Sequence, residues 1–407
     1  MGDFFKGVTL PKGFRAAGGS AGIKKDGSDD MAMIFSTAPC RTAGTFTTNQ
    51  VKAAPVKWDH ALVYGSGISR AVVVNSGIAN ACTGKEGMDC CAATAKAAGE
   101  VLNIPEDSVL VASTGVIGAQ IPVDKIRSGI GKLAPLLSEA ESSAHTAARA
   151  IMTTDTKPKE IGKKIRIGGK EAAIGGMCKG SGMIHPNMCT MLSFLTTDVC
   201  ISQKMLQTAL SEIVPDTYNM VSVDGDTSTN DTVLLMANGL AGNAEITEKN
   251  EDYEIFRDAL LEVNTEMAKK IAGDGEGATA LFEVTVKGAV DKESAETLAK
   301  SVVTSNLTKA AICGHDANWG RILCALGYSG VPFDPEKVEL WFRSAAGTIQ
   351  IAKNGTSTGY CEETATKILS EPEVTAIADM HQGTAEATAW GCDLTHEYVT
   401  INADYRS

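Results

Sequence analysis

Thr190 sits where a turn-rich stretch runs into an apolar one. Residues 179–189 read Lys-Gly-Ser-Gly-Met-Ile-His-Pro-Asn-Met-Cys, with Gly180, Gly182 and Pro186 as turn formers. Residues 190–195, Thr-Met-Leu-Ser-Phe-Leu, suit a buried strand. A threonine hydroxyl is a weak nucleophile without a neighbouring base. If the bond between Cys189 and Thr190 is cut, the new α-amine of Thr190 becomes that base. An α-amine titrates near 7.7–8.0, so much of it is neutral at physiological pH. One residue then carries both nucleophile and base. Spacing alone favours a plainer reading, a glycine-rich turn before a core strand with Thr190 as an ordinary strand residue.

Composition bounds the rest. The 407 residues are 43% hydrophobic, 21% charged and only 5% aromatic. That is the profile of a globular protein with a large core of small side chains. A net charge of −12 opposes nucleic-acid binding, which needs a basic face. The 11 cysteines form no C-x-x-C pair, and Cys90 and Cys91 are adjacent, which suits neither zinc nor an ordinary disulfide. Reduced thiols and a cytoplasmic location are expected, with no metal. No stretch has the roughly 18 apolar residues of a membrane helix.

The surrounding elements read as mixed α/β. Residues 9–57 look β-rich. Strands are expected at 71–74 and 109–112, followed by the loops Asn75-Ser-Gly-Ile-Ala-Asn-Ala-Cys-Thr-Gly84 and Ser113-Thr-Gly-Val-Ile-Gly118. Helices are expected at 88–102, 123–137, 140–152, 202–214 and 251–272. A hairpin is expected around Gly168-Gly169. Residues 222–232, rich in carboxylates and hydroxyls, read as a loop scaffold. Strands are expected at 281–286, 338–343, 348–352 and 397–402. The run Gly273-Asp-Gly-Glu-Gly-Ala278 is glycine-rich, but it follows a helix and precedes a strand, the reverse of a dinucleotide-binding turn.

The pattern Lys179-Gly-x-Gly-Met-x-x-Pro-x-Met-x-Thr190-Met-Leu closely resembles the self-cleaving segment of the ornithine acetyltransferase family, the glutamate N-acetyltransferases of arginine biosynthesis. The segment 75–84, Asp316-Ala-Asn-Trp-Gly-Arg321 and the tail Ile401-Asn-Ala-Asp-Tyr-Arg-Ser407 extend the resemblance over essentially the whole chain. It implies a layered α-β-β-α type sandwich reminiscent of N-terminal-nucleophile hydrolases, with a smaller α/β C-terminal lobe. The corresponding segments are 1–189, 190–282 and 283–407.

The resemblance also implies roles. Thr190 is the nucleophile, freed by cleavage after Cys189, and Thr114 and Gly115 form the oxyanion hole. Thr153, Lys179, Thr190, Glu276, Asn402 and Ser407 contact substrate. Cys189 stands for the usual alanine, Ala280 for the usual lysine and Ser407 for the usual threonine. The implied substrates are N2-acetylornithine and glutamate, with acetyl-CoA as a further candidate donor and no cofactor. The cleaved halves are expected to stay together as a heterotetramer of two α and two β chains. Two rival classes remain: a self-cleaving N-terminal-threonine aminopeptidase or amidase, and a non-enzymatic binding protein.

Overall fold

The structure, a computed structural model, describes residues 7–185 and 191–404. The expected cleavage point at Cys189 and Thr190, and Ser407, lie outside the described residues. The chain is mixed α/β with two sheets and compacts into two units. The first holds Met1–Gly180, Pro186–Asn219 and Thr227–Met267; the second holds Ser181–His185, Met220–Asp226 and Ala268–Ser407. The segments 1–189, 190–282 and 283–407 follow chain order, whereas compaction follows this other division.

The sheet of the first unit has eight strands among the described residues. Its path runs Val109–Val116, Ile68–Ile78, Met31–Phe46, Thr232–Ala237, Leu192–Thr197, Lys170–Lys179 and Lys159–Ile167, with Phe14–Gly19 paired to Met31–Phe46. Side chains alternate between the two faces of each strand. Met31, Met33, Val73, Val109 and Val111 join one apolar cluster, which takes in Cys91, Ala95, Ile126 and Ile130 from the helices Gly84–Leu102 and Val123–Leu133. Ala32, Ile34, Val72, Val74, Leu110 and Ala112 join the opposite cluster, with Ala144, Ala147 and Ala148 of the helix Glu141–Ala150. Burial on both faces explains the near-continuous apolar runs.

Several expectations hold with shifted ends. The hairpin turns at Gly168-Gly169 between Lys159–Ile167 and Lys170–Lys179. The strand expected from residue 190 is Leu192–Thr197, buried throughout, parallel to Thr232–Ala237 and antiparallel to Lys170–Lys179. The helix Ala54–Tyr64 enters a region expected to be β-rich; Pro55 lies in its first turn, where a missing N–H costs nothing. It serves the sheet edge. Trp58 Nε1 donates to the Val109 carbonyl at 3.0 Å, and the Asp59 carboxyl accepts from Val111 N–H at 2.8 Å. Side chains thereby stand in for a missing neighbour strand on the edge that carries Thr114.

The second unit carries a seven-stranded sheet among the described residues: Thr356–Ser357, Gly347–Lys353, Glu339–Ser344, Glu373–Asp379, Leu281–Ala289, Ala385–Cys392 and Val221–Ser222. Phe282, Val284 and Val286 are buried and alternate with half-exposed Glu283 and Thr285. The helix Lys292–Val303 packs on this sheet through Ala295, Leu298, Ala299 and Val302.

Residues 397–402, expected as a strand, form the helix His396–Ala403 instead. Tyr398-Val-Thr-Ile401 has the β-branched content of a strand. Thr395 decides against it: its hydroxyl accepts the Glu397 N–H and caps the helix.

Candidate active site

Thr114 and Gly115 lie inside the strand Val109–Val116, not in a loop after it. The neighbouring strand Ile68–Ile78 also runs past its expected end, and the two extend in register with Gly77 opposite Gly115. Their backbones approach so closely that a Cβ on Gly115 would sit 2.3 Å from the Gly77 carbonyl carbon, with Gly115 at φ +128°. No other residue type fits there without displacing the pair. Side chains fix this strand end. Ser113 Oγ donates to Asn75 Oδ1 at 2.7 Å, and Asn75 Nδ2 to the Ile78 carbonyl at 2.9 Å. Asn230 Nδ2 donates to the carbonyls of Ala79 and Ser113 at 2.6 and 2.7 Å. Half-buried Thr114 is therefore presented from a rigid edge.

Thr153 and Lys179 come together around a carboxylate. Thr153 lies just beyond the helix Glu141–Ala150, and Lys179 ends the strand Lys170–Lys179. Lys179 Nζ donates to Thr153 Oγ1 at 2.6 Å and pairs with Asp155 Oδ2 at 3.6 Å. Lys159 Nζ donates to Asp155 Oδ1 at 2.7 Å, and the N–H groups of Gly180 and Thr153 also donate to the carboxylate at 2.7 and 3.1 Å. All three charged side chains are nearly shut off from solvent. Burial alone would push the Asp155 carboxyl up. The Lys179 and Lys159 ammonium groups, with the hydrogen bonds of Lys159 and Gly180, outweigh it and hold the group well below the usual carboxylate range. Two buried ammonium groups thus meet at the Asp155 carboxylate.

In the second unit Glu276 is buried, and Asn402 Nδ2 donates to its Oε2 at 2.7 Å. The helix that replaced the expected strand is what delivers Asn402, which also donates to the Tyr398 carbonyl one turn back at 3.0 Å. The loop of Glu276 is tied to the segment after Lys179: Glu276 N–H donates to the Ser181 carbonyl at 3.0 Å, and Ser181 Oγ to the Asp274 carbonyl at 2.7 Å. A Cβ on Gly182 would lie 2.2 Å from Glu276 Cδ, so only glycine leaves room for the carboxylate. Asp393 accepts the N–H groups of Thr279 and Ala280 at 2.8 and 3.1 Å, so the loop at Ala280 is held without the lysine usual at that position.

Asp224 fastens the same segment, accepting from the N–H groups of Met183 and Ile184 at 2.6 and 2.8 Å and from Tyr398 OH at 3.2 Å. Burial, then the Asp224 charge, raises the Tyr398 phenol and keeps it a neutral donor. His185 Nδ1 lies 3.1 Å from Ser222 Oγ. Burial and the nearby Lys300 push its imidazole down to about 4, against a smaller opposing pull from Asp224. His185 is thus neutral at physiological pH. Among the described residues no group of three or more His, Cys, Asp or Glu could hold a metal, and no helix is long and apolar enough to cross a membrane.

The ArgJ family model matches residues 15–407. The chain belongs to the ArgJ family. It is 52% identical over 400 residues to the arginine biosynthesis bifunctional protein ArgJ of Thermotoga neapolitana, covering 98% of this chain and 100% of that one. The ArgJ of Symbiobacterium thermophilum is 51% identical over 403 residues, covering 98% of each chain. The crystal structure of the bifunctional argJ of Bacillus halodurans matches with a TM-score of 0.51 and 47% identity; the match covers 53% of this chain and 99% of that one.

Asp155 and Asn75 are not among the site residues that the sequence singles out. Asp155 was legible in principle. It stands four residues before Lys159 and inside the hydroxyl run 153–156, and a carboxylate there must be either exposed or paired. The bonds of Asn230 reach Ala79 and Ser113, 151 and 117 residues away, and the bond between Ser113 and Asn75 spans 38, distances that no local pattern carries.

Proposed function

We propose that this chain transfers an acetyl group from N2-acetylornithine to glutamate through an acetyl-threonine intermediate, after cutting itself between Cys189 and Thr190. The observation that carries the reading is the full-length identity with ArgJ proteins, 52% over 98% of this chain. Two further features support it. The buried ammonium group of Lys179, held by Thr153 and Asp155, suits an amino-acid carboxylate, and buried Glu276 with Asn402 suits an ammonium group.

In the proposed cycle the Thr190 hydroxyl attacks the acetyl carbonyl and its proton passes to the Thr190 α-amine. Thr114 and the Gly115 N–H stabilise the tetrahedral oxyanion. The C–N bond breaks, the amine proton goes to the leaving nitrogen, and ornithine departs from an acetyl ester of Thr190. Glutamate's α-amine attacks that ester, N-acetylglutamate forms, and the hydroxyl is restored. Thr153, Lys179, Glu276, Asn402 and Ser407 are the proposed substrate contacts. No cofactor enters. The relatives' names call them bifunctional, which favours acetyl-CoA as a second acetyl donor. A heterotetramer of the cleaved halves is the proposed assembly. The described cysteines are all free thiols, in keeping with the cytoplasm.

Initial rates varied in both substrates test this. Parallel double-reciprocal lines with N-acetylglutamate as product are expected. Intersecting lines would indicate direct transfer in a ternary complex, and release of free acetate without N-acetylglutamate would favour the amidase reading.

A further inference from the structure

A third lysine borders the cluster around Asp155 in the first unit. Lys24 follows a tight loop whose N–H groups at Ala21, Ile23 and Lys24 all donate to the fully buried Asp30 carboxylate, at 2.6, 2.5 and 2.9 Å. Its main chain is thereby fixed. The side chain passes the glycine opposite Gly115: a Cβ on Gly77 would meet Lys24 Cγ at 3.2 Å. Its ammonium group donates to the carbonyls of Asp29 and Met152 at 2.9 and 2.8 Å. Met152 directly precedes Thr153, the residue whose hydroxyl Lys179 holds. Two ammonium groups are thus anchored to consecutive residues.

These contacts use two of the three Lys24 N–H groups, and the side chain is half-exposed. Burial is the main cause that pulls the Lys24 ammonium below its ordinary range, Asp26 and Asp30 oppose it, and repulsion from Lys179 adds to it. Like charges anchored to consecutive residues, with a third Lys24 N–H that meets no acceptor among the described residues, are matched by a ligand that brings negative charge. The proposed acceptor and donor differ in this respect. Glutamate carries two carboxylates, whereas N2-acetylornithine carries one and an ammonium group. Lys179 serves the carboxylate that both possess.

We propose that Lys24 is a specificity-determining residue that receives the second carboxylate of a dicarboxylic acetyl acceptor. The inference rests on the acetyl-transfer reading above. The bond from the ammonium to the carboxylate is charge-assisted, and such a bond separates a carboxylate from a neutral amide of the same shape by roughly tenfold or more.

The test compares glutamate with glutamine, its neutral isostere, as acceptor for the wild-type chain and for Lys24→Gln and Lys24→Met. The wild type should prefer glutamate in kcat/KM, and both variants should lose at least about tenfold of that preference. Their KM for N2-acetylornithine should move by less than about threefold. Lys24→Gln keeps a donor for the Met152 carbonyl, so it carries the test if Lys24→Met melts early. An undiminished preference in Lys24→Gln, or an equal loss with donor and acceptor, overturns the assignment. If the wild type transfers no acetyl group from N2-acetylornithine to either acceptor, the acetyl-transfer reading itself fails, and the two failures are told apart.

Discussion

Both units bury charge, and they do so with opposite signs. Around Asp155 the first unit encloses the ammonium groups of Lys159 and Lys179. In the second unit Glu276 is answered by the neutral amide of Asn402. A buried charge without a full counter-charge is costly in a protein interior, and removal of a partner makes it costlier. Each unit fixes its charged group by main-chain geometry: Gly180 N–H on Asp155, and the absent side chain of Gly182 beside Glu276. The difference teaches that the first unit sets charge against charge, whereas the second meets its carboxylate with a neutral amide.

The largest effect expected is that of Thr190→Ala, which removes nucleophile and base together. That variant should run as one uncut chain of 407 residues on a denaturing gel and transfer no acetyl group. Two fragments persisting in it would point to an outside protease.

Next comes the buried charge itself. Asp155→Asn removes the carboxylate that buried Lys159 and Lys179 both meet and should cost about 3–5 kcal/mol in denaturant unfolding. A loss below about 1 kcal/mol, the value of an exposed ion pair, would contradict the role given to Asp155. The unlike character of the second unit can be checked with Glu276→Gln. Taking away a charge that pairs with no cation among the described residues should raise KM while changing stability less than Asp155→Asn does.

Thr114→Ala should lower kcat by roughly 10²–10³ with little change in KM, because the alkoxide needs that donor far more than the ground-state carbonyl does. A pure KM effect would make Thr114 a substrate contact. The smallest effect concerns His185. Its folded-state pKa of about 4 lies below the ordinary 6.5, so between those values the unfolded chain binds a proton that the folded chain refuses. Stability should therefore fall as pH drops from 6.5 towards 4, and Tm in His185→Gln should depend less steeply on pH over that window.

The sequence reading is strongest where one local cause decides the outcome. Gly168-Gly169 marks the hairpin, and the alanine-rich run at 88–102 marks the helix Gly84–Leu102. It fails where a single bond overrules composition, as when the Thr395 cap turns a β-branched tail into the helix bearing Asn402. It also fails at strand ends. Thr114 and Gly115 were expected in a loop, and they lie on a strand because the facing strand extends beside them. At the candidate site the family motifs name Thr153, Lys179, Glu276 and Asn402. Asp155, four residues before Lys159, is legible as a carboxylate in need of a partner, whereas the place of Lys24 emerges only from packing.

The central claim is that Thr190 is freed by cleavage and then carries the acetyl group. Intact mass of the purified protein, before and after incubation with N2-acetylornithine alone, tests it most directly. The account predicts fragments of 189 and 218 residues, with one acetyl group gained by the 218-residue fragment and lost again when glutamate is added. An uncut, active chain, or two fragments that never gain the acetyl group during turnover, would contradict it.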